Sequence, residues 1–353
     1  MKQQPPLSPP EPLHHLAMDW NGYQHVRALE ADASPRRYWR FWSHKKTFLG
    51  VVTPDIETDF HQFARIQRFL SHCGLSAPRF LKIDFANHCA LIEDFGQLSL
   101  NTLLRTSSKP QSEQLYLTIV KAFAHLHQTI DGFKTFPPLL KHLKPYKTDL
   151  LLTETNRFLS GYLTNIRHDI ADLGEFEQTW HENWSNLFSK LRTTKPVLVQ
   201  RDCHIDNILW LKRRKSIRQC GFIDFQDATL GHRAYDLMSI LEDARSSLAP
   251  SIIDKALHLY RVEMGLNNDD WVDFLRCYHI LGASRHAKVL GIFMTLSLKP
   301  NCSHYLKHIP RVEMYLKKKF QLSATDQFDL KPLKNIADLF ASSSVLSKIF
   351  INE

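Results

Sequence analysis

The stretch 197–211, VLVQRDCHIDNILWL, sets two apolar runs on either side of a short polar loop. Val197–Val199 and Ile208–Leu211 have the composition of buried strands. Between them Asp202, His204, Asp206 and Asn207 crowd into six positions. Polar and charged groups are costly to bury without partners, so a loop like this points them into one cleft. A further strand and loop follow in 220–232, CGFIDFQDATLGH, and bring Asp224 17 positions after Asn207. Phosphoryl transfer uses such a set: a carboxylate for the proton of the acceptor hydroxyl, and oxygen ligands that hold Mg²⁺ against nucleotide phosphates.

Outward from this stretch the chain divides by periodicity. Apolar residues at three-to-four spacing predict a helix over 59–73. Two strands are predicted at 79–85 and 89–93 around a turn at 86–88, and the aromatic, β-branched segment 36–53 reads as a hairpin broken at 43–46. Residues 19–96 are therefore expected to form a small β-rich lobe with one helix. From Gln111 onward the pattern is helical, with long segments at 149–168, 175–192, 234–248, 251–264 and 270–295, interrupted by strands only within 197–226. Residues 97–353 are expected to form the helical lobe, with weaker periodicity after Lys319. The Pro-rich segment 1–18 reads as a disordered leader without the order of a secretory signal.

Composition narrows the function classes. With 353 residues and 43% hydrophobic content the chain can bury a real core. No apolar run approaches the length of a membrane span, so a cytoplasmic protein without a membrane partner is expected. The six cysteines form no CxxC pair and the 19 histidines no HExxH. A formal charge of +9 suits anionic ligands, but its basic clusters at 34–41, 211–218 and 315–320 read as solvated faces. No RRM-like aromatic pattern or helix-turn-helix accompanies them, so no nucleic-acid partner is expected.

RDCHIDN, at 201–207, resembles the catalytic loop of kinase-fold enzymes, and IDF at 223–225 stands where they carry a metal-binding DFG. The continuation GHRAYDL is similar to the aminoglycoside phosphotransferase branch. ADASPRRYWRF at 31–41, LIEDFG at 91–96 and LGASRHAKVLGIF at 281–293 extend the resemblance, over roughly 28–318, to the anomeric sugar kinases of peptidoglycan recycling. The resemblance implies an α+β, bilobal protein-kinase-like fold with a β-rich N-lobe and a larger helical C-lobe. It also implies ATP and Mg²⁺ as cofactors and an amino-sugar substrate, N-acetylmuramate or N-acetylglucosamine, phosphorylated at C1. The sugar 1-phosphate would couple functionally to a nucleotidyltransferase.

By the same resemblance Asp202 is the catalytic base, Asn207 and Asp224 are Mg²⁺ ligands, and Asp236 braces the loop. Ala33 and Ser34 would lie in the turn over the phosphates, Arg36 and Arg37 would supply positive charge there, and Glu93 and Phe95 would mark the hinge that meets adenine. His204 either touches substrate or phosphate or braces its own loop. Asp227 is a candidate for sugar hydroxyls, because a carboxylate accepts two hydrogen bonds at once; Asp206 reads as structural. Glu154 either enters the sugar site or is a solvated helix residue, and Arg285 and Lys288 are read as pairing or packing residues. Two departures stand out. Gln200 replaces the customary histidine, and the strand TFLGVVTP lacks the customary phosphate lysine, Lys45 and Lys46 falling before it. Either an arginine of SPRRYWR substitutes or nucleotide affinity is weak. The alternatives are a kinase for another hydroxyl (aminoglycoside, choline or homoserine type) and a pseudokinase binding module.

Overall fold

The computed structural model describes residues 8–29, 36–44, 46–53, 56–166, 173–191, 195–325 and 328–351. In chain order its elements are α1 Glu11–Asn21, β1 His25–Ala28, β2 Arg37–Trp42, β3 Thr47–Val52, α2 Ile56–His72, β4 Phe80–Asp84, β5 Cys89–Glu93, α3 Leu100–Leu104 and α4 Lys109–Gly132. There follow α5 Thr148–Thr155, α6 Thr164–Ile166, α7 Leu173–Ser189, β6 Val197–Val199, β7 Ile208–Trp210, β8 Cys220–Phe222 and β9 Thr229–Gly231. The chain closes with α8 Ala234–Leu241, α9 Pro250–Met264, α10 Asn268–Ser297, α11 Ile309–Ser323, α12 Lys331–Ala341 and α13 Ser344–Phe350. These elements form two units: a sheet unit of 1–107, 133–142 and 206–227, and a helical unit made of the rest.

In the sheet unit five antiparallel strands run in the order β1-β2-β3-β5-β4. Strand alternation sends Trp39, Phe41, Phe48, Cys89 and Leu91 to one face, where α1 covers them with Leu13, Leu16 and Ala17. Val51, Ala90 and Ile92 face the other way and pack with Phe60 of α2. Gly50 is what lets α1 close down: a Cβ there would stand 2.6 Å from Phe41 Cε2 and 2.8 Å from Leu13 Cδ1. The expectation of a disordered leader over 1–18 is thus corrected for its second part. Residues 11–18 are helical because burying Leu13 and Leu16 stabilises by roughly 1.5–3 kcal/mol each; residues 1–7 lie outside the described segments.

The expected turn at 86–88 is present, with Asp84 Oδ1 accepting the Asn87 N–H at 3.1 Å. The unit also takes in more than 19–96. Strand β8 is tied to the loop after α2, Ser76 Oγ donating to Arg218 O at 2.7 Å and the Phe222 N–H to Ser76 O at 2.8 Å.

The helical unit is built around α10, whose Ala283, Ala287 and Leu290 are fully buried. Gly291 is required by close approach, since any Cβ there would collide with the carbonyl of Arg157. The segment expected as one helix over 149–168 is broken: α5 ends at Thr155, and Phe158–Leu163 continues as a π-helical turn before α6. Helix α8 ends at Leu241, well short of 248. After Lys319 the chain is not loose. Helices α12 and α13 bury Leu333, Ile336, Phe340 and Phe350, with Phe340 stacked on Phe158 at 5.4 Å. No helix of the described residues is long and apolar enough to cross a membrane.

Candidate active site

In the helical unit β6 pairs antiparallel with β9 and leads straight into the loop 200–205. Arg201 takes a left-handed conformation, φ 68°, which costs a non-glycine residue roughly 1–2 kcal/mol. Three anchors hold it there. Asp236, in the first turn of α8, accepts the Gln200 N–H at 2.7 Å and is also bonded to the Arg201 N–H. Arg285 of α10 donates to the Arg201 carbonyl at 3.2 Å. The Arg201 guanidinium is bonded to Glu154. At the far end of the loop Asp243 Oδ2 accepts the Ile205 N–H at 2.7 Å, which explains why α8 stops early. Asp236 therefore braces the loop as expected, and Asp243 is a second brace that the periodicity hid inside an expected helix.

Asp202, between these anchors, keeps its carboxylate open, with 59% of the side chain exposed. His204 is buried and its Nε2 stands 3.6 Å from Asp202 Oδ2, so it faces the carboxylate from within the loop. Partial desolvation by the surrounding loop works to raise the Asp202 carboxyl, but the hydrogen bond and charge of His204, joined by Arg285 and Arg245, hold it well below the usual carboxylate range.

Glu154 is not a solvated helix residue. It is 2% exposed, and both its oxygens are taken, Oε1 by Arg201 and Oε2 by Tyr146 and by Lys288 at 2.9 Å. Burial would raise its carboxyl; Lys288 and Arg201 outweigh that, with the Tyr146 hydroxyl helping, and hold it at about 2. Its carboxylate thus positions Arg201, the neighbour of Asp202, and Lys288 is a pairing residue as expected. Gln200 is buried and gives its N–H to Asp236, while its side-chain Nε2 has no hydrogen-bond partner among the described residues.

The sheet unit carries the other candidates. Asn207 precedes β7, and its carbonyl accepts the Ile223 N–H at 3.1 Å, which fixes it beside the loop after β8. Asp224, at φ 58°, offers a carboxylate 42% exposed. Asn207 Nδ2 lies 3.4 Å from its Oδ2, Gln226 Nε2 2.8 Å from its Oδ1 and Arg36 Nη1 3.7 Å from that same oxygen. An amide and a half-open carboxylate side by side fit the donor set of Mg²⁺, which takes one or two carboxylates and leaves its other positions to water and phosphates. Asp227 is exposed and lies next to Gln226, whose Nε2 is 3.4 Å from Asp227 Oδ2. Asp206 accepts from Asn101 Nδ2 at 2.7 Å, a structural bond as expected.

Of the expected phosphate residues, Ser34 and Ala33 lie outside the described residues. Arg36 and Arg37 part company: Arg36 is 8% exposed, while Arg37 is exposed and, by alternation, on the Trp39 side of β2. At the expected hinge position Glu93 is paired with Arg214 at 2.7 Å and Arg79 at 3.3 Å, and Arg214 lies over the Phe95 ring at 4.9 Å. The residue between them was missed by the sequence reading. Asp94 takes a bidentate pair from Arg40 at 2.8 and 3.0 Å, and Arg40 also reaches Gly96 O at 3.0 Å. Its one signal was an arginine at an inward position of a strand.

Comparison with known proteins agrees with this architecture. The model of the APH phosphotransferase enzyme family matches residues 25–275. The N-acetylmuramate/N-acetylglucosamine kinase of Caulobacter vibrioides is 29% identical over 84% of this chain and 88% of its own. The enzyme of that name from Pseudomonas aeruginosa is 27% identical over 81% of both chains. Among solved structures, spectinomycin phosphotransferase in complex with ADP and spectinomycin covers 93% of this chain and 98% of its own at TM-score 0.58 and 14% identity. A microcompartment-associated aminopropanol kinase covers 89% and 98% at TM-score 0.61 and 14% identity; at such identities these two speak for the fold. The chain has the fold of the aminoglycoside phosphotransferases, belongs to the phosphotransferase enzyme family, and is a kinase whose acceptor is a hydroxyl group.

Proposed function

We propose that this enzyme transfers the γ-phosphoryl group of ATP to the C1 hydroxyl of N-acetylmuramate or N-acetylglucosamine. The observation that carries the reading is the similarity to relatives named for those two sugars, extending over four fifths of each chain, together with an open carboxylate, Asp202, on a loop anchored at both ends. Asp202 orients the attacking hydroxyl and receives its proton. Its low proton affinity suits a loose transition state, in which positioning does more than proton abstraction. His204 sets the carboxylate's direction, and Glu154, Arg285, Asp236 and Asp243 hold the backbone that carries it.

Asn207 and Asp224 would hold Mg²⁺, which when bound neutralises charge on the nucleotide phosphates. The exposed Asp227 accepts hydrogen bonds from sugar hydroxyls. The product, a sugar 1-phosphate, is of the class that nucleotidyltransferases convert to nucleotide sugars. The test is ³¹P NMR of a reaction with ATP, Mg²⁺ and each sugar in turn, with wild type and Asp202→Asn. A sugar 1-phosphate resonance that the variant abolishes is expected. A folded wild type silent with both sugars would move the assignment to another hydroxyl acceptor.

A further inference from the structure

In kinase-fold enzymes a lysine on the third strand meets the nucleotide phosphates, and β3 here, TFLGVV, has none. The sheet unit offers several cations, and their surroundings separate them. Arg40 is consumed by its bidentate pair with Asp94. Lys46 stands before β3, with its ammonium 5.7 Å from the Trp20 ring of α1's last turn. Arg37 lies on the Trp39 side of β2. Arg36 differs from these in its face of the sheet and in the carboxylate it approaches. The β2–β3 register pairs Arg37 with Val52 and Tyr38 with Val51; continued by one residue it sets Arg36 opposite Thr53, on the same side as Tyr38 and Val51. Arg36 is buried, and its Nη1 is 3.7 Å from Oδ1 of Asp224.

We propose that Arg36 is the phosphate-binding cation of this enzyme, supplied from the foot of β2 in place of a lysine on β3. The inference rests on the kinase reading above. A guanidinium beside a half-open carboxylate is already directed at the locus where metal and phosphate charge must meet. Its planar fork can keep one edge on Asp224 and turn another to a phosphate oxygen, which a lysine ammonium cannot do with the same geometry.

Isothermal titration with ADP, a non-hydrolysable ATP analogue and adenosine, each with and without Mg²⁺, tests this on wild type, Arg36→Gln and Arg27→Gln; the last removes an exposed arginine from β1. Arg36→Gln is expected to weaken both phosphorylated ligands about 10- to 100-fold while adenosine changes less than about twofold. Arg27→Gln should match wild type for all three. Equal losses for adenosine and ADP would assign Arg36 a packing role and overturn the proposal, as would unchanged ADP binding by the folded variant. Arg36→Lys covers the case of a variant that does not fold: keeping a charge, it should retain discrimination for ADP over adenosine, and loss of that discrimination would also overturn the proposal. A wild type that binds no nucleotide would sink the kinase reading itself, whereas a wild type that turns over with Arg36→Gln unimpaired in ADP binding would sink only this one.

Discussion

Glu154 and Asp224 are both carboxylates approached by an arginine, yet their surroundings are opposite. Glu154 is sealed, its side chain 3% exposed, and has both oxygens taken by Arg201, Lys288 and Tyr146. Asp224 is 42% exposed, with neighbours at 2.8–3.7 Å of which the nearest is a neutral amide. The difference matches what the proposed function asks of each group. A carboxylate that positions backbone gains from saturation, because every unpaired buried valence costs desolvation energy; one that must take a metal or a substrate has to keep part of its coordination for the ligand. On the function proposed here, saturation separates scaffold from site: Glu242, sealed by Lys319 and His286 at 2.6 Å each, belongs with Glu154, and the exposed Asp202 with Asp224.

Substitutions can break this division, and those at the open carboxylates are expected to act on rate while those at the sealed ones act on stability. Asp202→Asn is the largest case: kcat should fall about a thousandfold, the middle of the range expected for general acid–base groups, while the thermal unfolding midpoint stays near that of wild type. A stability loss in proportion would show that Asp202 is scaffold after all. Lys319→Met leaves Glu242 buried with one cationic partner fewer. Unfolding in urea should show a loss of roughly 3 kcal/mol or more at an unchanged slope, most of which a Lys319→Met/Glu242→Gln double variant should restore.

Glu154 sharpens the comparison through pH. Its carboxyl is held at about 2 against an ordinary 4.5, so the stabilisation it contributes is complete above about pH 4.5 and is lost as the pH falls toward 2. That is worth on the order of 3 kcal/mol. Glu154→Gln should lower stability at neutral pH and flatten the acid limb of the stability profile, and a variant with an unchanged acid limb would refute the assignment. The smallest effect is expected at Asp227. Asp227→Asn should raise KM for the sugar about tenfold, one hydrogen bond to a charged group, with kcat and KM for ATP nearly unchanged; steady-state kinetics with each substrate varied in turn separates these outcomes.

How much of this was legible in the chain depended on how far each residue's partner lay along it. The hairpin at 79–93, the helix over 59–73 and the polar loop at 200–207 are encoded by neighbours within a few positions, and each was read near its observed bounds. The brace Asp236 was carried by the resemblance, within a contiguous motif. Helix α1 was misread because prolines at its start look like a leader, and only the sheet face with Gly50 makes it worth forming. Asp243 escaped because a helix expected to run on to 248 ends where its carboxylate turns back to Ile205.

The sequence by itself determined the chemistry available: Asp202, Asn207 and Asp224 stand in contiguous motifs whose resemblance to a known family, carried on through GHRAYDL, pointed to a phosphotransferase. The tertiary structure decided the standing of each charge. Glu154 is sealed by residues 8, 47 and 134 positions away, Arg40 is spent on Asp94, and Arg36 stands beside Asp224. Burial and saturation are properties of all the groups surrounding an atom, most of them distant in the chain, so local patterning carries no record of them.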